Sequence, residues 1–324
     1  MRPDDNAVLV LGGGLAGSAA AITASRLGAA VTLVEKSAFP RHKVCGEFLS
    51  PAARPLLEKL GVAMDQAAPI RRTVLNFSGR EKRFNLPETA WGWSRYQLDD
   101  ALFQAAQSAG ATTVKEMPDP APRRRVIATG RQRSAPKGKR QFGFKAHFTG
   151  PSNDAVELYF FPGGYVGVNP VEGGRTNVCG LAREDVLTRH SFAIDELIAS
   201  LPSLRERLTG LNREFDWLHV GPLVYANRFA DPVIEGEYPA GDALSFVDPF
   251  TGSGMLSALK VGVLAGTSAA TQRSSAAYQQ LAATLLAQPF RVSTRLRSWA
   301  EADWVRLVIP LVPGRLLFQL TRPV

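Results

Sequence analysis

A glycine-rich segment near the N-terminus has the residue types and the spacing that hold a phosphate group. It follows the apolar run 7–11 and precedes an alanine-rich stretch, as expected of a strand, a tight turn and a helix. In such a unit the backbone N–H groups and the positive end of the helix dipole face a pyrophosphate. The residues predicted to bind it are Gly12, Gly14, Leu15, Ala16 and Gly17.

An acidic residue ends the second predicted strand, which spans residues 30–34. At that distance from the glycines a carboxylate accepts a hydrogen bond from a ribose 2′-hydroxyl, and its charge repels a 2′-phosphate. Glu35 therefore favours FAD or NAD over NADP. We assign two further residues to the same nucleotide site, Lys36 and, on the strand predicted at 111–115, Val114.

A second glycine-rich segment lies towards the C-terminus, where residues 240–243 and 248–254 contain two Asp and three Gly. An Asp there is suited to a polyol, and a helix beginning near residue 254 would place its positive end beside an electron-rich ring. Because FAD contains both groups, the two glycine-rich segments together predict an FAD site. The residues assigned to it in this segment are Asp242, Pro249, Gly252, Gly254 and Met255.

The elements between these segments predict an α/β fold, in which a Rossmann-like FAD/NAD(P)-binding domain is interleaved with an antiparallel β-sheet domain. A helix is predicted at 97–109, and strands of the second sheet at 73–77, 82–86, 141–148, 155–161, 165–169 and 175–181. The predicted boundaries are 1–69 with 94–137 and 225–290 for the FAD-binding domain, 70–93 with 138–224 for the substrate-binding sheet, and 291–324 for a C-terminal helical segment.

The composition is that of a globular protein with a basic surface, because the chain has 38 Lys and Arg residues but only 29 Asp and Glu residues. The arginine clusters have no accompanying nucleic-acid motif, so we predict no nucleic-acid partner but allow an acidic carrier protein or a peripheral membrane contact. Cys45 and Cys179 are too few for a disulfide framework and lack zinc-site spacing, which favours a reducing cytoplasm and no metal. Arginines and prolines interrupt the apolar segment 304–318, which argues against a transmembrane helix.

The run Phe-Pro-Arg-His-Lys-Val-Cys-Gly-Glu at 39–47, with the residues up to 51, resembles a family motif. It is similar to the segment that follows the ribose-binding acid in geranylgeranyl-reductase-like flavoproteins, a branch of the p-hydroxybenzoate-hydroxylase-type superfamily of FAD-dependent oxidoreductases and monooxygenases. Other similar pieces follow the family order, and the resemblance covers about residues 8–266. These pieces lie at 12–17, 94–99, 161–164, 177–180 and 241–254.

The resemblance implies how the cofactor is held. Asp242 would accept a hydrogen bond from the ribityl chain, and the turn at 249–254 would stabilise the reduced flavin at its N1–C2=O edge. Arg95 and Arg41 would lie along the phosphates or the ribityl chain. Thr129 stands where relatives usually have Asp, which weakens the similarity to the NADPH-dependent aromatic hydroxylases.

The resemblance also implies that Cys45 and Glu47 border the substrate cavity. Either side chain could supply a proton, while Cys45 could instead polarise the substrate or only line the cavity, and Glu47 could pair with an arginine. The implied activity is that of an FAD-dependent oxidoreductase. We expect it to reduce a double bond of a polyprenyl, lipid or polyketide-like substrate by hydride transfer from the reduced flavin.

The sequence leaves more than one candidate for the electron donor and for the reaction class. Because no second dinucleotide fingerprint is present, NAD(P)H would visit the flavin transiently, and ferredoxin or another carrier protein is the other candidate donor. A monooxygenase acting through a flavin C4a-hydroperoxide is the second enzyme hypothesis. A halogenase is a weaker version of it, based on Trp91-Gly92-Trp93. The third hypothesis is a non-catalytic flavoprotein-like partner in a biosynthetic complex.

Overall fold

The computed structural model describes residues 6–77, 79–131, 140–223, 226–246 and 252–300. The predictions for Pro249 and for the apolar segment 304–318 concern residues outside these ranges. The strands, in chain order, are β1 (Ala7–Leu11), β2 (Ala30–Val34), β3 (Phe48–Leu49), β4 (Ala68–Phe77), β5 (Arg80–Gly92), β6 (Thr112–Val114), β7 (Arg124–Ile127), β8 (Gln141–Thr149), β9 (Ala155–Phe161), β10 (Gly164–Pro170), β11 (Thr176–Arg183), β12 (Asn212–Arg213), β13 (Leu218–Leu223), β14 (Ala226–Asn227), β15 (Glu237–Pro239) and β16 (Ser245–Phe246). The helices are α1 (Leu15–Arg26), α2 (Ala53–Lys59), α3 (Arg95–Ser108), α4 (Glu184–Arg189), α5 (Ile194–Ala199), α6 (Pro202–Leu208), α7 (Gly254–Ala270) and α8 (Ser275–Ala300).

The first sheet is parallel and has the strand order β15-β7-β1-β2-β6. Its central strand β1 buries Val8, Leu9 and Val10 completely, as expected of a strand in the middle of a parallel sheet. The chain leaves this sheet after β2, returns for β6 and β7, leaves again and returns for β15. The sheet is therefore built from three separate parts of the sequence.

Helices α1 and α7 pack side by side and point in the same direction. A Cβ atom at Gly262 or at Gly266 would lie 2.3 Å from the carbonyl oxygen of Ala16 or of Ala20, respectively, so the close approach requires glycine. Helix α7 begins eight residues before Gly262, whereas α1 begins one residue before Ala16. At 1.5 Å per residue, the N-terminus of α7 projects about 10 Å beyond that of α1.

The second sheet has nine strands, in the order β12-β8-β11-β10-β9-β4-β5-β3, with β13 also paired to β8. Its pairings are antiparallel except for β4 with β9, which are parallel. One face packs on α4, α5 and α6 through a core that includes Phe144, Val178 and Leu187. The alternate positions of the strands form the other face, where Lys145 of β8 is paired in register with Cys179 of β11.

The predicted α/β architecture, a parallel Rossmann-like sheet with a mainly antiparallel second sheet, is confirmed. The strand predicted at 155–161 has the observed bounds, and the helix predicted at 97–109 is α3, which Ser94 caps by accepting a hydrogen bond from the Gln97 N–H. The strands predicted at 73–77 and 82–86 are the longer hairpin β4–β5, while β13 and α6 were missed. The domain boundaries stay a prediction. None of the helices in the described ranges has the length and apolarity to cross a bilayer.

Candidate functional site

The glycine turn after β1 has two positions where packing requires glycine. Gly12 has a φ of +99°, and a Cβ atom there would lie 2.4 Å from the carbonyl oxygen of Ala128. A Cβ atom at Gly17 would lie 1.7 Å from the carbonyl oxygen of Gly12. These contacts set the turn and bring α1 close to β1, as the fingerprint predicts.

Gly14 differs from its neighbours because the space beside it is open. It occupies the N-cap of α1, and a Cβ atom there would lie 3.5 Å from Lys43 Nζ and 3.9 Å from Arg95 Nη2, at ordinary contact distance. The first turn of α1, which is described in full, has no acidic residue and no side-chain cap. Two cations therefore face the free N–H groups of a helix N-terminus. This arrangement fits the diphosphate of a dinucleotide.

Asp99 holds both of these cations. Its buried carboxylate accepts from Arg95 Nε at 2.6 Å and Nη2 at 2.8 Å, and from Lys43 Nζ at 2.5 Å. Burial opposes ionisation of Asp99, but the charges of Arg95 and Lys43 outweigh it and lower the pKa of the carboxyl. One carboxylate between two cations leaves a net positive charge for an anionic ligand. Sequence reasoning missed Lys43 and Asp99, although the i,i+4 spacing of Arg95 and Asp99 on a helix indicates the pair.

Glu35, the residue predicted to bind the ribose, lies beside the glycine turn. Its Oε2 accepts from the Gly13 N–H at 2.9 Å and its Oε1 from the Ser37 N–H at 2.8 Å, while Arg41 Nη2 is 3.5 Å from Oε1. The Glu35 N–H donates to the Val114 carbonyl, which places Val114 beside it. Lys36 is exposed to solvent. The carboxylate is thus fixed next to the glycine turn and has lone pairs left for a ribose hydroxyl.

We expect Glu35→Ala to weaken FAD binding by about 1–3 kcal/mol, because a polar group that partners Glu35 is left unsatisfied. Fluorescence titration of the apoprotein with FAD measures the effect. Glu88→Ala, which removes an exposed carboxylate from β5, is the matched control and should bind FAD like the wild type. Equal affinities for all three proteins would place the ribose elsewhere.

Asp242 lies within electrostatic reach of Arg95 and Lys43. Its side chain is exposed to solvent, the surrounding protein raises the pKa of its carboxyl, and the charges of Arg131, Arg95 and Lys43 act in the opposite direction. Gly252 has a φ of +61°, and a Cβ atom there would lie 3.0 Å from the Phe48 ring.

Met255 and Gly254, at the start of α7, complete this side of the site. The Met255 side chain is buried in the core, whereas a Cβ atom at Gly254 would meet no described atom within 4 Å. Among the described residues, the N-terminus of α7 therefore has open space beside it, and it lies next to β3, the strand that follows Cys45 and Glu47. Pro249 lies outside the described residues.

Cys45 lies on the segment that connects the two sheets, and it is partly exposed. Asn177 of β11 donates through Nδ2 to the carbonyl oxygens of Cys45, at 3.2 Å, and of Gly46, at 3.0 Å. The segment is thereby held against the second sheet, above Cys179. Burial raises the pKa of the Cys179 thiol, and the neighbouring Cys45 acts in the same direction.

Glu47 is placed differently from Cys45, since its side chain is completely buried. Its carboxylate accepts from Lys145 Nζ, lies 2.7 Å from His147 Nε2 and accepts from the Arg95 N–H at 2.6 Å. Burial would raise the pKa of Glu47, but the adjacent Lys145 and His147 lower it overall. An ionised carboxylate with three partners favours a binding contact over proton donation, and the catalytic role of Glu47 stays a prediction.

His42 contacts two aromatic rings at tilted angles beside this carboxylate. Its ring centroid is 4.6 Å from that of Tyr96 and 4.4 Å from that of Phe215, and the edge of His147 lies against it. Burial and the nearby Lys145 lower the pKa of His42 to about 4, against the opposing effect of Glu47 and Glu214. The imidazole is therefore neutral in the folded protein at neutral pH.

We expect His42 to make the protein less stable in acid. Its pKa is about 4 in the folded protein and 6.5 without these neighbours, so the unfolded chain takes up the proton first and stability falls as the pH drops from 6.5 towards 4. His42→Phe keeps the ring contacts and should reduce the fall in the unfolding midpoint between about pH 7.5 and about pH 5. An unchanged fall would show that other groups cause it.

The face of the second sheet beside Cys45 is polar at Lys145, His147 and Asn177 and apolar further along β9, β10 and β11. Residues in register on this face are Leu158 and Phe160 of β9 and Tyr165 of β10, which are partly exposed, and Leu181 of β11, which is buried. A Cβ atom at Gly143 of β8 would lie 3.2 Å from Val44 Cγ1 and 3.0 Å from Val220 Cγ1, so the Cys45 segment contacts the same face. The face can receive an apolar molecule next to the thiol.

Comparisons with known proteins agree with this geometry. Residues 7–40 match the family model described as FAD dependent oxidoreductase. Menaquinone reductase of Mycobacterium tuberculosis is 37% identical over 119 residues, which are 34% of this chain and 29% of the relative. Tryptophan 2-halogenase of Chondromyces crocatus is 38% identical over 97 residues, 30% of this chain and 16% of the relative. The matches thus cover less than a third of the relatives' length.

Solved structures match over nearly the whole chain. The flavin-dependent brominase Bmp2 superposes with a TM-score of 0.78 at 18% identity, covering 97% of this chain and 92% of that one. PqsL of Pseudomonas aeruginosa, a probable FAD-dependent monooxygenase, gives a TM-score of 0.68 at 18% identity, covering 97% and 98%. The resemblance to the geranylgeranyl-reductase-like branch stays a prediction. The chain has the fold of the FAD-dependent oxidoreductases, with a segment that matches their family model at residues 7–40.

Proposed function

We propose that this protein is an FAD-dependent oxidoreductase that reduces a double bond of an apolar substrate. The observation that supports it most directly is the open N-cap at Gly14, which faces Lys43 and Arg95 with Glu35 close by. Lys43, Arg95 and the N–H groups of α1 would hold the diphosphate. Glu35 would bind the ribose, and Asp242 the ribityl chain.

The two helix N-termini support the same cofactor. That of α7 projects about 10 Å beyond that of α1, so one helix would face the diphosphate and the other the flavin ring. The positive end of α7 would then stabilise negative charge on the ring. When bound and reduced, FAD supplies a hydride.

The remaining chemistry belongs to the second sheet and to Cys45. An apolar substrate would lie on the face formed by Leu158, Phe160, Tyr165 and Leu181. After hydride addition to one carbon of the double bond, the Cys45 thiol would give its proton to the other carbon and regain one from solvent. The menaquinone reductases among the relatives favour reduction over oxygenation. NAD(P)H or a reduced carrier protein as electron donor, and peripheral membrane contact, are part of the same proposal.

The test is anaerobic reoxidation of the reduced holoprotein by a prenylated quinone and by a polyprenyl alkene. Yellow protein whose flavin is reoxidised as the substrate gains two hydrogen atoms supports the proposal. Colourless protein that binds no added FAD would support the non-catalytic alternative instead.

A monooxygenase or halogenase is the second candidate, because the similar solved structures include the brominase and the similar sequences a halogenase. The Trp91-Gly92-Trp93 tripeptide has packing roles here. Trp91 lies under the Arg54 guanidinium, and a Cβ atom at Gly92 would lie 1.7 Å from the Pro170 carbonyl oxygen. Substrate-dependent oxygen consumption, with oxygen or halogen in the product, would favour this candidate.

A further inference from the structure

A buried group of three charged or titratable side chains joins the Cys45 segment to the second sheet. Glu47 precedes β3, whereas Lys145 and His147 are alternate residues of β8 and point to the same face. Each of the three is at most 1% exposed. Glu47 Oε1 accepts from Lys145 Nζ, and Oε2 lies 2.7 Å from His147 Nε2. We call these residues the Glu47 cluster.

The Glu47 cluster is also attached to the first residue of α3. The Arg95 N–H donates to Glu47 Oε1 at 2.6 Å, so a buried negative charge lies at the positive end of that helix. The preceding Ser94 N–H donates to Glu172 Oε2 at 2.8 Å, and Glu172 follows β10 of the second sheet. Two carboxylates at strands of the second sheet therefore fix the start of α3.

Helix α3 in turn carries Arg95, one cation of the proposed phosphate site, and holds the other, Lys43, through Asp99. Arg95 and Asp99 are one turn apart on it, and Asp99 holds Lys43 beside Gly14. A chain of polar contacts thus runs from β8, through Glu47 and Arg95, to Asp99 and Lys43, and the two cations lie beside Gly14 at the N-terminus of α1. On the other side of Glu47, two residues away, lies Cys45, whose Sγ accepts from the Glu47 N–H at 3.5 Å.

Glu47 needs its partners to keep this arrangement. It has a φ of +52°, a left-handed conformation that is unfavourable for a residue with a side chain. A buried carboxylate without a cation is strongly destabilising, whereas removing both members of such a pair is often tolerated. The charge of Glu47 therefore depends on the contacts that β8 provides, while its backbone is held by the Trp93 N–H, which donates to the Glu47 carbonyl oxygen.

We propose that Lys145 and His147 are positioning residues that act through Glu47 to set both the phosphate-binding place of Arg95 and the position of Cys45. The inference rests on the proposed function in one respect, namely that the ligand at Gly14 is FAD. Two residues of the second sheet would thus help to bind a cofactor that they do not touch. The Glu47 cluster also connects the cofactor site to the sheet that would carry the substrate.

The test compares FAD affinity with stability in the apoprotein of Lys145→Met, Glu47→Gln and the double variant. Each single variant should weaken FAD binding at least about tenfold and lower the unfolding midpoint, because a charge is left unpaired. The double variant removes both charges and should regain much of the midpoint. Its FAD affinity should stay low, because the amide introduced by Glu47→Gln has no fixed orientation towards the Arg95 N–H once Lys145 is replaced.

Recovery of FAD affinity together with the midpoint would overturn the inference, because the cluster would then be merely structural. Lys59→Met, which removes an exposed charge from α2, is the control and should bind FAD like the wild type. If Lys145→Met does not fold, His147→Leu should weaken FAD binding and His147→Gln, which keeps a donor, should restore it; equal affinities would overturn the inference. Wild-type protein that fails to bind FAD would contradict the proposed function instead.

Discussion

Gly14→Val is expected to abolish FAD retention and to leave the fold intact. A Cβ atom at this position has ordinary contacts with Lys43 Nζ at 3.5 Å and Arg95 Nη2 at 3.9 Å, so the protein has room for the side chain. The added methyl groups would occupy the space through which a diphosphate reaches the N–H groups of α1. Losing about two hydrogen bonds to a charged group costs about 3 kcal/mol or more, which is a factor of about 10² in affinity.

Gly17→Ala is the contrasting variant in the same turn. Its Cβ atom would lie 1.7 Å from the Gly12 carbonyl oxygen, so this substitution should lower the unfolding midpoint whether or not FAD is present. Flavin content per protein and thermal unfolding followed by circular dichroism separate the two effects. Gly14→Val protein that purifies with full FAD occupancy would show that the diphosphate does not approach this N-cap.

Cys45→Ala is expected to slow the chemical step by about 10²-fold or more if the thiol donates the proton. The side chain is partly exposed beside the apolar face of the second sheet, and its loss removes none of the contacts at Gly14, Glu35 or Asp242. FAD affinity and stability should therefore stay close to those of the wild type. A thiol that only lines the cavity would instead change substrate preference with a smaller loss of rate.

Single-turnover reoxidation of the reduced protein by substrate measures this step. Cys179→Ala is the matched control, since it removes the chain's other thiol from the strand beneath Cys45. Burial raises the pKa of Cys179, so that thiol stays protonated, and its replacement should leave the rate nearly unchanged. Equal rates for wild type and Cys45→Ala with several substrates would remove Cys45 from the reaction.

The sequence was sufficient for the parts of the site that are local. The glycine turn and Glu35 lie within one strand–turn–helix–strand unit, so their spacing alone predicts that they meet. Lys145 and His147 were not predicted, because they reach Glu47 across 98 and 100 residues of chain. Spacing carries no information about contacts that depend on how one sheet docks against another.

The same limit applies to the order of the strands in the second sheet, which the sequence did not predict. The run 155–161 is rich in apolar and aromatic residues and contains one charged residue, which predicts a strand with the observed bounds. The pattern does not show which strand lies beside it. The parallel pairing of β4 with β9 arises because the chain runs through the first sheet between them and returns in the same direction. The reaction class cannot be predicted from the fold either, because one fold hosts several activities that depend on the side chains of the site.

The close packing of α1 against α7 has a consequence for how the protein is made. Helices α1 and α7, which would bind the cofactor, are among the first and the last described elements of the chain. Strand β15, which completes the parallel sheet, also lies towards the C-terminal end of the described sequence. On the ribosome, the glycine turn at residues 12–17 is exposed long before its partner helix has been synthesised. We therefore expect cofactor capture to be a post-translational event, in which FAD enters a finished chain and not a nascent one.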